Sequence, residues 1–81
     1  MAHRDKVVRS IENPDGTRCV DLVRLPDGAY GFAEYRRDPE DGRGWSPAGA
    51  PPGTGFATEA EALGEARRSV PWLDMVLEPG R

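Results

Sequence analysis

The sequence predicts an α+β fold: a three-stranded antiparallel meander, with a short fourth strand near Trp45, packed on one C-terminal amphipathic helix. Three observations carry this. Two Pro-Asp-Gly turns separate runs rich in β-branched and aromatic residues. A Thr-x-x-Glu cap opens a stretch with helical apolar spacing. A Pro/Gly-rich connection lies between the two, so strands and helix are segregated along the chain as in an α+β domain.

Lys6 to Glu12, KVVRSIE, reads as the first strand from its β-branched residues and imperfect alternation. Asn13-Pro14-Asp15-Gly16 follows. Pro presets φ, Asp accepts local backbone hydrogen bonds, and Gly tolerates positive φ. Thr17 to Leu25, TRCVDLVRL, reads as the second strand, and Pro26-Asp27-Gly28 repeats the turn chemistry. Ala29 to Arg37, AYGFAEYRR, reads as the third. Asp38 to Gly44 is a polar loop, and Trp45 opens the expected short return strand. Ser46 to Gly55 holds three Pro and three Gly in ten residues and reads as an irregular connection.

Thr58 is placed to cap a helix over about Glu59 to Val70, with Glu61 reciprocating as a capping box. Leu63, Ala66 and Val70, flanked by Ala62, form a narrow stripe of mostly small residues. Arg67 and Arg68 suit the negative helix end. Pro71 disfavours helix at Val70 and should end or kink it there. Trp72 to Leu77 is either a second helical turn or an extended tail. The chain is therefore expected to be a single domain, 1–81, with its core spanning 6–77 and frayed termini.

At 81 residues, such a domain buries about 60–65% of the surface its unfolded form exposes. Hydrophobic residues are 37% of the chain, so the core is small and a partner surface would add stability. The net charge is −3 and 31% of residues are charged, which disfavours whole-surface attraction to phosphate backbones. Cys19 is the one cysteine, so there is no intramolecular disulfide or cysteine-based zinc site, and a reducing compartment is expected. The charged Met1 to Lys6 stretch resembles no signal peptide, and no apolar run is long enough to span a membrane. A cytoplasmic location is the expectation.

Candidate chemistry is sparse. His3 is the one histidine, near the N-terminus; its third position allows copper binding through backbone nitrogens, but a terminal residue without a role explains it better. Cys19, mid-strand, reads as a packing residue. Asp38, Glu40 and Asp41 lack the alternating ligand pattern of a calcium loop. Gly53-Thr54-Gly55 has no following lysine, and Glu59 and Glu61 would repel a phosphate there. No catalytic residue, cofactor or metal site is assigned.

Apolarity on both sides of the sheet is more informative. If Pro26-Asp27 alone forms the turn, Leu22 pairs with Gly31 and Val20 with Ala33. One face then carries Val20, Leu22, Ala29, Gly31, Ala33 and Tyr35, and the other Cys19, Val23, Leu25, Tyr30 and Phe32. A helix covers one face only. The other is left to Trp45 and the Trp72–Leu77 tail, or to a second subunit. Tyr30, Phe32, Tyr35, Trp45 and Trp72 are the candidate interface residues, since aromatics dominate interface energetics.

Trp45, Gly55-Phe56-Ala57-Thr58 and Glu61-Ala62, set after three strands, resemble two known designs. One is shared by the plant ethylene-response-factor DNA-binding domain and the arm-binding N-terminal domain of tyrosine recombinases. The other is a family of small uncharacterised bacterial domains with strands followed by one such helix. In the DNA-binding families, Arg and Trp on the sheet face read DNA, which here implies Arg18, Arg24, Arg36 and Arg37, beside Asp21 and Glu34. The leading expectation is a non-enzymatic domain that associates with a protein partner or with itself as a homodimer. Nucleic-acid binding through those arginines is the alternative.

Overall fold

The computed structural model describes residues 6–38, 40, 42, 44–48 and 52–77. Strands β1 (Lys6–Glu12), β2 (Arg18–Arg24) and β3 (Tyr30–Arg36) form the expected antiparallel meander. Two short strands, β4 (Ser46–Pro47) and β5 (Gly53–Phe56), share the far edge of β3, β4 at its C-terminal half and β5 at its N-terminal half. Helices α1 (Glu59–Ser69) and α2 (Pro71–Leu77) complete the α+β architecture. No helix among the described residues is long and apolar enough to cross a membrane. His3, Asp41 and Glu78 to Arg81 lie outside the described residues.

The turns decide the register. In the first hairpin Gly16 takes φ +74°, Gly16 N–H donates to the Asn13 carbonyl, and the Asn13 side-chain oxygen accepts from the N–H groups of both Thr17 and Arg18. In the second, Leu25 N–H donates to the Ala29 carbonyl and Gly28 N–H to the Leu25 carbonyl, with Gly28 at φ +92°. This is a three-residue loop, a turn closed by a left-handed glycine. Gly28 thus belongs to the loop, where the two-residue reading assigned it to the strand. The pairs are Leu22 with Phe32 and Val20 with Glu34, one residue away from those expected.

That slip exchanges the faces of β3. Val20, Leu22 and Phe32 lie together in the core, with Ile11 of β1 beside them. Gly31, Ala33 and Tyr35 fall on the opposite face, with Cys19 and Val23 of β2. β1 carries a bulge between Val7 and Arg9, which places Val7 on this second face and leaves Ile11 on the first.

Both helices pack against the first face. Ala62, Ala66 and Val70 recur every fourth residue and are essentially inaccessible, while Leu63 sits partly buried at the margin. Small side chains at these positions let α1 approach the sheet closely. Thr58 caps α1, its Oγ1 accepting from Glu61 N–H at 3.1 Å. The Glu61 carboxylate reaches back to Ala57 N–H at 3.1 Å, one residue earlier than the standard box. Thr58→Ala should therefore cost about 0.5–2 kcal/mol, visible as a lower melting temperature. Val70 is extended, as a residue before proline prefers, and Pro71 starts α2 where a missing N–H costs nothing. Of the two tail conformations the helical one is found, and Leu73 is fully buried in the core.

Candidate functional site

The open face of the sheet is built from alternate residues of the three main strands. Ser10 and Glu12 of β1, Cys19 and Asp21 of β2, and Tyr35 of β3 project to the same side. With Trp45 they line a hollow of about 240 Å³. Ser10 Oγ donates to Asp21 Oδ1 at 2.7 Å, across the β1–β2 pair. Trp45 closes one side; the Arg37 guanidinium stacks 4.6 Å from its ring centre. Arg37 is itself held by the Gly16 carbonyl at 2.9 Å, so the hairpin tip and Trp45 are tied through it.

Cys19 lies at the floor of this hollow, buried. Burial first, then the carboxylates of Asp21 and Glu12, push its thiol up to about 11. A thiol that stays protonated at neutral pH is a poor nucleophile. Cys19 in the folded protein should react with an alkylating reagent at pH 7–8 at least about tenfold more slowly than in denaturant. Equal rates would mean an accessible, ionised thiol.

The expected interface aromatics separate into three settings. Phe32 is buried beneath α1 and stacks against Phe56 at 6.2 Å, so it offers a partner no surface. Tyr30 packs half-buried against the core. Trp72 is half-buried, its indole N–H donating to Glu34 Oε2 at 2.9 Å. Tyr35 and Trp45 alone meet at the hollow. The tail is core on its Leu73 side and surface on its Met75 side, where Met75 is 75% exposed beside a shallow groove formed with Asn13, Pro14, Trp72 and Val76.

The four arginines of the nucleic-acid alternative are not gathered on the open face. Arg18 and Arg36 pair across the strands on the helix side, where Arg18 contacts the buried Glu34 carboxylate at 3.3 Å. Arg24 pairs with Lys6 and Tyr30 at the other end of that side. Arg37 is engaged with Gly16 and Trp45. Ser10, Glu12 and Asp21 were not singled out from the sequence. Their spacing by two within each strand was the available signal, and it becomes usable only once the register brings the strands' faces together. Among the described residues no group of metal-ligating side chains converges. Comparison with protein-family models, curated proteins and solved structures gives no match.

Proposed function

We propose that the chain is a non-enzymatic domain that works by protein association through the open side of its sheet. One observation carries this: both helices pack on the same face, leaving the other with Val7 52% and Trp45 38% exposed, alongside half-buried Val23, Ala33 and Tyr35. Apolar and aromatic side chains on a face that no described helix covers mark an interaction surface. The protonated Cys19 and a Ser10–Asp21 pair with no imidazole beside it among the described residues support the non-enzymatic reading, since neither supplies an activated nucleophile.

Affinity capture from the source cell tests this, comparing wild type with Tyr35→Glu at matched melting temperature. A protein retained by the first and lost with the second is expected; identical capture by both sinks the proposal. Sedimentation over rising concentration reports whether a second copy is the partner.

Nucleic-acid binding has weaker support, because the open face carries Glu12 and Asp21, Arg18 and Arg37 serve other contacts, and Arg24 and Arg36 project to the helix side. No salt-dependent mobility shift with duplex or single-stranded DNA is expected at micromolar protein. A shift lost in Arg36→Ala would restore that reading.

A further inference from the structure

β1 is an edge strand: among the described residues it pairs with β2 alone. Antiparallel ladders alternate between pairs that exchange backbone hydrogen bonds and pairs whose backbone groups point away. Asn13 N–H donates to the Arg18 carbonyl, which fixes the phase. The pairs Ile11–Val20 and Arg9–Leu22 are then the bonded ones. Ser10 and Glu12 direct their N–H and carbonyl groups outward, to the free edge. The bulge at Val8 breaks the ladder before this segment, so the usable edge is short and centred on these two residues.

Ser10 and Glu12 are also the β1 residues whose side chains line the hollow. A strand added along β1 would pair its own side chains with theirs on the open face. A residue set opposite Glu12 would meet the Glu12 carboxylate directly, with the Asp21 carboxylate diagonal to it on β2 and the rings of Tyr35 and Trp45 further across the hollow. Among the described residues neither carboxylate forms an ion pair. A lysine or arginine side chain suits this end of the hollow by charge with the carboxylates, the Trp45 ring already carrying Arg37.

A second copy fits this edge poorly. Opposed residues of paired strands share a face, and the open-face residues of β1 are Val7, Ser10 and Glu12. Lys6 and Arg9 project to the other side. Self-pairing of β1 would therefore bring no basic side chain to Glu12 on the open face.

Building on the association reading above, we propose that β1 takes up an extended segment of a partner protein as an additional strand, with one lysine or arginine of that segment entering the hollow beside Glu12 and Asp21. Backbone groups of Ser10 and Glu12 supply affinity, and the hollow supplies selectivity.

Selection from a displayed library of random short peptides tests this. Enriched sequences should carry β-branched residues with Lys or Arg at every second position. A synthetic peptide from the selection should lose about tenfold to a hundredfold in affinity when its basic residue becomes Glu, and with Glu12→Gln in the protein. Ser10→Pro, which removes an outward N–H that no β2 carbonyl uses, should weaken it similarly. No enrichment, or peptides indifferent to all three changes, overturns the proposal. Concentration-dependent dimers abolished by Ser10→Pro would make the occupant a second copy and overturn it too. If Tyr35→Glu ends cellular capture while Ser10→Pro and Glu12→Gln leave it intact, the open-face reading stands and edge docking falls.

Discussion

A chain ending at Val70 will not hold its fold, whereas one ending at Leu77 will. Leu73 is fully buried in the core shared by the sheet and α1. Removing a buried leucine side chain costs about 2–5 kcal/mol. The cut also removes Trp72, whose indole N–H donates to the buried Glu34 carboxylate at 2.9 Å. That carboxylate keeps Arg18 at 3.3 Å but loses its other donor. Leaving a buried acceptor short costs a further 1–3 kcal/mol, roughly. The shorter chain also loses the Arg67–Asp74 ion pair, a minor contribution at its exposure. Against this stands a total stability of about 4–12 kcal/mol for a domain of this length. The loss is comparable to the whole. Circular dichroism and thermal melting of the two shortened chains check it. A cooperative melt for the chain ending at Val70, within a few degrees of full length, would mean that α2 is an appendage. Met75→Ser, at the solvent side of the same helix, should shift stability by no more than about 0.5 kcal/mol.

The distribution of what could be read from the sequence follows from where backbone chemistry is local. Both hairpins were legible because Pro-Asp-Gly acts within four residues. So were the Thr58 cap and the stop at Val70, each set by near neighbours. The sheet register was not, since Pro26-Asp27-Gly28 serves equally as a two-residue turn entering a strand or as a three-residue loop. The positive φ at Gly28 separates the two, and sequence does not print it. One residue of slip then moves Phe32 from the presumed interface into the core, and parts Tyr35 from the face of Val20 and Leu22 to set it on the open one. The hollow was hidden for the same reason. Its residues come from four places in the chain that only the correct register unites. Glu34 is a further case: a strand acid among exposed arginines reads as solvated, yet it is buried because Trp72, remote in sequence, reaches it.

β5 was missed on different grounds, and these lead to the second large effect: Gly31→Val should unfold or severely loosen the sheet. Gly53-Thr54-Gly55-Phe56 has poor strand propensity and forms only because β3 lets it come close. Pairing runs from Phe32–Gly53 to Tyr30–Phe56, so Thr54 and Gly55 bulge opposite Gly31. A Cβ at position 31 would lie 2.5 Å from the Gly53 carbonyl oxygen and 3.3 Å from the Thr54 Cα. Both are backbone atoms, and no rotamer change relieves the overlap. β5 must shift outward. It carries Phe56, which packs on the core against Phe32 and leads directly into the α1 cap. Overpacking of this kind costs about 1–3 kcal/mol. Partial release of Phe56 adds up to roughly 1.5–3 kcal/mol. The sum predicts a fall in melting temperature of more than about 10 °C. Gly28→Ala provides the contrast. Position 28 has open space around it and a positive φ, so strain alone applies, worth about 1 kcal/mol. If both variants melt alike, the close approach at Gly31 is not what holds β5. If Gly31→Val melts far lower, with amide shifts concentrated at Gly53 to Phe56, the fifth strand owes its place to one missing methyl group on β3.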